Sequence, residues 1–498
     1  MPAIITNKFR LNNAEQFSES FSETAKEIYY LGIGRPQPFG TLTRADGRTD
    51  FEGTDIAPNT PGDTVVREFF TYDDLLAAKR VQSTDTSFVI PRRNWTAGTV
   101  YDTYRHDYGE FQTGSTSTRI TSNSGATTLF DATFYVLTSA RNVYKVLDNN
   151  GGATAANEPT GTSTSVITTA DGYKYKFMYT LTAAQQANFL SPDFMAITPN
   201  ASAGTDQSNV ISAAVDGAID IIKIKSAGSG GSNGTFTNID IRGDGTAGKC
   251  SVTVSGGQVT AVAVTTAGSG YTFGTVSNAQ IVAAGATSLS GAELDVIIPP
   301  KGGHGANAQE ELGGFFVMLN TSLEGTESSN TGDFTAVQDF RKIALLRNPT
   351  SSGSSATANT LRATKAIRFA ASPTPGTFSV DEEINQATTG AVGKVVEWDS
   401  TNRILYYIQT RHNDAGIDSN GNQTAFSGAN VVTGQGGGSP TGTPDTSVSA
   451  TVNNVVFSSG YSVPEIDHDS GDVLYLENRT PIQRATDQTE NIKLVIEF

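Results

Sequence analysis

The sequence predicts a mainly β protein, with a β-sandwich core, a few flanking helices and two inserted β-rich modules. Three observations predict it. Short β-branched and aromatic runs recur between polar Gly/Ser/Thr/Asn loops. Two of these runs alternate residue by residue. Only two stretches carry helical spacing.

The runs read as strands are Phe134 to Leu137, Val143 to Leu147, Tyr173 to Leu181, Ile343 to Leu346 and Ile492 to Phe498. In the third, Tyr173, Tyr175, Phe177 and Tyr179 alternate with Lys174, Lys176 and Met178, which predicts a half-buried strand. The last alternates Ile492, Leu494, Ile496 and Phe498 with Lys493, Val495 and Glu497, so it belongs in a sheet. A helix is expected from Ala14 to about Ala25, capped by Asn12 or Asn13, with Phe17 and Phe21 on one face. A second is expected from Tyr72 to Arg80, turning Leu75, Leu76, Ala77 and Ala78 inward.

Two tracts stand apart. Residues 206–300 are rich in Gly, Ala, Ser, Thr and Val, and Ser226-Ala227-Gly228-Ser229-Gly230 recurs as Thr266-Ala267-Gly268-Ser269-Gly270. Each copy comes after a β run, Ile219 to Ile224 and then Val259 to Thr265. Each precedes a strand-like segment, Thr237 to Ile241 and then Ala279 to Val282. This is a small duplicated β module. Residues 351–460 open with linker composition and continue with the strands Gly393 to Glu397 and Ile404 to Ile408. Both tracts are expected as insertions on a core made of 1–205, 301–350 and 461–498.

The chain has 498 residues, room for about two to four domains. It carries 50 acidic against 34 basic residues, a net charge of −16, which disfavours nucleic acid and anionic membrane as partners. The basic pair Arg92-Arg93 is too short to reverse that. Cys250 is the single cysteine, so no intrachain disulfide forms. There is no signal-like segment and no long apolar stretch, so the chain is expected to be soluble and made in a cytoplasm.

No constellation of residues identifies a catalytic, cofactor or metal site. Gly230-Gly231-Ser232-Asn233-Gly234 fits a nucleophile-elbow spacing, but a strand pattern comes next where the elbow needs a helix. His106, His304, His412 and His468 are far apart and form no zinc spacing. His106, within Tyr104-Arg105-His106-Asp107-Tyr108, is read as a loop histidine hydrogen-bonded to its neighbour rather than a base. Asp418-Ser419-Asn420-Gly421-Asn422 begins like a calcium loop but continues with Gln423 and Ala429 where Gly and Glu are needed. Gly32-Ile33-Gly34 lacks a third glycine, with Gln37 in its place, and Arg242-Gly243-Asp244 reads as a turn. The 50 acidic residues give no reason to choose one pair for glycoside cleavage.

Several segments carry a more specific signal. Ile4 to Arg10 and Gly34-Arg35-Pro36-Gln37-Pro38-Phe39 resemble the opening of the baseplate wedge subunit of T-even-like contractile-tailed myoviruses, the product of their gene eight. Ile90-Pro91-Arg92-Arg93-Asn94-Trp95, Val143 to Asp148, Asp171 to Tyr175, and Phe340 to Ile343 with Asn348-Pro349 resemble further parts of that family. The likeness is greatest from Ser470 through Asn478-Arg479-Thr480-Pro481-Ile482 to Asp487-Gln488-Thr489-Glu490. The order is collinear, and the two insertions look like the enlarged cyanobacterial-myovirus form. The resemblance implies a mainly β homodimer in the virion, assembled in the host cytoplasm and bound to other wedge subunits. It implies no enzyme activity and brings no catalytic residue.

Within the shared segments, Arg92 and Arg93 beside Trp95 can anchor an interface or brace a strand end. Asn478 to Pro481 reads as a turn before an extended segment. The alternative reading is a receptor- or carbohydrate-binding tail protein, with Phe236, Tyr271 and Phe273 as the sugar-stacking candidates in residues 206–300. A glycan-cleaving enzyme is a third.

Overall fold

A computed structural model describes residues 3–24, 26–41, 52–112, 115–199, 201–324, 338–410, 416–420, 422–483 and 489–498. The protein is mainly β, with 38% strand and 11% helix and several antiparallel sheets. Six helices lie among the described residues: α1 (Asn7–Glu19), α2 (Val65–Asp73), α3 (Ala183–Phe189), α4 (Asp206–Ala213), α5 (Asn278–Ala283) and α6 (Ala308–Leu312). None is long and apolar enough to cross a membrane.

The chain forms two compact units. One takes residues 1–17, 87–318 and 495–498, and the other takes 18–86 and 319–494. This division runs through the segments expected to form a single core. Each Gly-rich tract has its own hydrophobic cluster, one in each unit.

In the first unit, Tyr135–Leu137, Asn142–Asp148, Lys174–Thr180 and Ile167–Thr168 form an antiparallel sheet. The strand Lys174–Thr180 is not half-buried as its alternation implied. Tyr175 and Phe177 pack with Tyr144 and Val146 on one side, while Met178 and Tyr179 join a second cluster with Phe134 and Leu137. A register shift between Val143 and Tyr144 sends Phe177 and Tyr179 to different clusters. Lys176 is therefore buried too, at 5% exposure.

The duplicated module has its own core of Ile239, Val252, Val254, Tyr271 and Ile281. Gly228 and Gly268 share a left-handed conformation (φ +63° and +69°), as do Gly230 and Gly270 (φ +77° and +73°), so the two copies match in backbone. The segments after the two copies differ. After the first comes the strand Gly234–Asp240, but Ala279 to Val282, expected as a strand, lies in α5. Ser277 and Gln280 form a capping box there, and that local signal outweighs the β-rich composition. At Gly268 an added Cβ would lie 2.4 Å from the Thr246 carbonyl oxygen, whereas at Gly270 it would meet open space. Gly268→Ala is expected to destabilise the protein by more than about 2 kcal/mol and Gly270→Ala by about 1 kcal/mol, read as denaturant midpoints. Equal shifts would contradict this packing.

In the second unit, a five-stranded antiparallel sheet runs Thr360–Arg362, Leu75–Val81, Tyr29–Gly34, Phe340–Arg347 and Asp472–Ile482. Leu75 to Arg80, expected as helix, is a strand beside Tyr29–Gly34. The helix of this region, α2, comes earlier and ends at Asp73. Ala77 and Ala78 pair with Ile33 and Gly32, and this pairing overrides the helix propensity of the Leu-Leu-Ala-Ala run. Gly34 lies where a Cβ would be 2.8 Å from the Asp74 carbonyl oxygen, so Gly32-Ile33-Gly34 serves strand packing.

Asn478 to Pro481, expected as a turn, lies inside the strand Asp472–Ile482. That strand closes one edge of the sheet, and Pro481 falls at a register shift, where a missing N–H costs least. The first helix also differs from expectation. It begins at Asn7, so Asn12 and Asn13 are interior, and it stops at Glu19. Phe21 lies past its end, stacked on Tyr29 at 4.2 Å, and Ala25 is outside the described residues.

Residues 365–462 of the second unit contribute a seven-stranded sheet that includes Ala391–Asp399 and Ile404–Ile408, the two strands read from the sequence.

Candidate functional site

The Gly34 to Phe39 segment is held by buried charge. Arg35 is fully buried, with its backbone left-handed at φ +55°. Its guanidinium donates to Glu52 at 2.9 Å, and Arg67 reaches the other oxygen of the same carboxylate at 2.8 Å. Arg341 donates to the Pro36 carbonyl at 2.7 Å and to Asp55 at 2.9 Å, while Asp55 accepts the Phe39 N–H at 2.9 Å. Lys342 pairs with Asp74 at 3.1 Å, both side chains at or below 5% exposure. The Gly34 to Phe39 segment is thus fastened at both ends.

Arg92 and Arg93 act as intrachain braces. Arg92 donates to the Ser191 carbonyl at 2.8 Å. Arg93 donates to the carbonyls of Ala132 and Phe130 and lies 4.6 Å over the Tyr135 ring. Trp95 packs against the cluster that holds Tyr101 and Tyr144.

Two clusters of titratable groups lie in cavities or beneath them. In the first unit, Lys145 and Lys176 sit directly opposite each other on paired strands, both buried. Like charges in that position repel, so they need counter-charges. Lys145 donates to Glu311, and Lys176 donates to the Thr164 carbonyl at 2.6 Å. Glu311 accepts the Gly305 N–H at 2.8 Å and the Asn307 N–H at 3.1 Å. Burial lowers the pKa of both lysines and raises that of Asp220, which is coupled electrostatically to each.

Tyr104 caps this cluster, its ring centre 5.0 Å from Lys145 Nζ, and His304 meets Tyr104 edge-on at 4.8 Å. Burial, reinforced by the two lysines, holds His304 well below the ordinary histidine pKa. Its Nδ1 finds no hydrogen-bond partner among the described residues. Beside the cluster lies a cavity of about 330 Å³, lined in part by Leu11, Tyr104, Phe130, Lys301 and Glu311.

In the second unit, His468 bridges two carboxylates: Nε2 meets Asp73 at 2.8 Å and Nδ1 meets Asp469 at 2.7 Å. The Tyr72 ring lies 5.5 Å away, and its hydroxyl donates to the Ser470 carbonyl. A cavity of about 370 Å³ adjoins them, lined also by Lys365, Gln409 and Asp467. Burial alone would lower the His468 pKa, but hydrogen bonds and charge from Asp73 and Asp469 raise it above 6.5.

That rise sets the sign of the pH dependence. The stabilising bridge is fully present below about pH 6.5 and is lost as pH climbs through the raised value. The stability difference between the wild type and His468→Gln is therefore expected to be largest near pH 6 and to shrink toward about pH 9. Unfolding midpoints measured across that range check it, and a difference that grows with pH would refute it.

The other sequence candidates fall in ordinary places. His106 Nδ1 accepts the Ile298 N–H at 3.3 Å rather than bonding a sequence neighbour, and burial lowers its pKa. Arg105 instead takes Asp107 in two hydrogen bonds of 2.8 Å. Ser232 accompanies Thr287 and leads into a strand. Asp418 accepts the N–H groups of Asn420 and Asn422, closing a turn, and Gly421 is outside the described residues. Arg242 and Gly243 form a short strand, and hydrogen bonds from Thr272 and Phe273 hold the Asp244 carboxyl down at about 2. His412, Asp487 and Gln488 lie outside the described residues. The same residues contain no group of three or more His, Cys, Asp or Glu placed to hold a metal ion.

Sequence reasoning missed the lysine cluster, although a signal existed. Lys145 interrupts the apolar run Val143-Tyr144-Lys145-Val146-Leu147, and Lys176 alternates with aromatics. Such alternation by itself implies a solvent-facing lysine. No family model and no curated protein matches this sequence.

Proposed function

We propose that the chain is a structural subunit of the baseplate wedge of a contractile phage tail. In this reading it is a homodimer, assembled in the host cytoplasm and carried in the virion, that holds neighbouring wedge proteins for assembly and contraction. One observation carries the reading: the collinear set of segments from Ile4 to the C-terminal strand that resembles the gene-eight product family. What those segments do supports it. Arg35, Arg92, Arg93, Arg341 and Lys342 are committed to intrachain carboxylates and carbonyls, as expected of a rigid framework.

A second reading, a receptor- or carbohydrate-binding tail protein, draws on Phe273. This aromatic is 60% exposed in the duplicated module and could stack on a sugar ring.

Native purification of the tagged chain from infected cells, with mass spectrometry of the intact assembly, separates the two. Two copies held at fixed stoichiometry with other tail proteins support the wedge. Free chain that binds host cells, and loses that binding on Phe273→Ala, would replace it with the adhesin.

A further inference from the structure

We propose that the Lys145 side-chain amine and the Glu311 side-chain carboxyl condense to an intramolecular amide, a covalent tie between the strand Asn142–Asp148 and α6. The inference goes beyond the structural role and does not depend on it.

Three features converge on this pair. The groups are in hydrogen-bond contact, with 0% and 1% side-chain exposure, so amine and carboxyl meet without intervening solvent. Burial favours the uncharged amine, the nucleophilic form. The carboxyl oxygens face backbone donors, Gly305 N–H at 2.8 and 3.0 Å and Asn307 N–H at 3.1 Å, which can stabilise the oxyanion of a tetrahedral intermediate.

The step balances. A proton moves from the Lys145 ammonium to the Glu311 carboxylate, leaving neutral amine and carboxylic acid. Nζ attacks Cδ and a C–N bond forms. As the C–O bond breaks, the departing hydroxyl takes up the proton that the nitrogen gives up. One water leaves, nothing is oxidised or reduced, and net charge is unchanged.

The driving force lies in desolvation. A dry ion pair carries a penalty of several kcal/mol per ion, and condensation removes both charges. It also ends the repulsion between Lys145 and Lys176 across the strands. The tie would join residues 166 apart in sequence, so that load on the sheet is shared with the Gly305 loop and α6 through a covalent bond.

Intact mass of the purified full chain, with tandem mass spectrometry of its digest, tests the proposal. The expected wild type is one water lighter than its sequence, with a branched peptide joining Lys145 and Glu311. Lys145→Arg is expected to restore the full mass. Linear wild-type peptides containing free Lys145 and free Glu311 would overturn it, whatever the variants do. Should Lys145→Arg fail to fold, the wild-type digest alone decides.

Discussion

Glu52→Ala is expected to cost about 3–5 kcal/mol in the second unit, because it removes the carboxylate from beside a guanidinium that cannot reach water. Arg35 is fully buried, and Glu52 is the carboxylate that it shares with Arg67. Arg67 is partly exposed and can rehydrate once the carboxylate is gone, whereas Arg35 cannot. The left-handed backbone at Arg35 adds strain that this network holds in place. Amide exchange in the strand Tyr29–Gly34 reads the effect locally, which suits a protein of two units whose global unfolding need not be two-state. Glu52→Gln keeps an acceptor and is expected to cost distinctly less. Equal, small effects of both changes would show that the ion pair contributes little.

The second large effect is expected at the other end of the chain. Removing the last six residues takes away Leu494, 5% exposed, together with Glu497 and Phe498. Arg10 donates to the Glu497 carboxylate and the Phe498 carbonyl, and its guanidinium lies 3.6 Å over the Phe315 ring. Phe17 meets the Phe498 ring at 5.4 Å, and Phe498 N–H donates to the Phe315 carbonyl at 3.2 Å. The deletion thus removes the end of a strand and the fastening of α1 together. Lost apolar burial alone amounts to about 1.5–3 kcal/mol for each large side chain, close to the whole margin of a typical domain. The truncated chain is expected not to fold in soluble form. A soluble truncation that keeps the full melting transition would contradict that.

Much of the β architecture was legible because strand signals are local. Val143 to Leu147, Gly393 to Glu397 and Ile404 to Ile408 are β-branched or aromatic runs between polar loops, and each is a strand. The failures share a cause, since partners decided what local pattern could not. Leu75 to Arg80 has helix-favouring residues but lies in the sheet beside Tyr29–Gly34. The alternation of Tyr173 to Tyr179 implied a wet face, yet the facing surface is occupied by the lysine cluster and its carboxylates. Thr480-Pro481 suggested a turn, but an edge strand tolerates proline.

The candidate sites were less legible than the fold. Lys145 and Glu311 are brought together from opposite sides of the duplicated module, and no spacing rule encodes such a meeting. His468 stands isolated among the histidines of the sequence, but its partner Asp73 lies 395 residues away. The neighbouring Asp469 was the only local hint of the bridge.

The central claim, a structural place in a tail baseplate, is tested most directly by electron microscopy of purified virions labelled with an antibody to this chain. The account predicts label at the baseplate end of the tail in a constant, low number on every particle. Label on fibre tips, or particles that carry none, would contradict it.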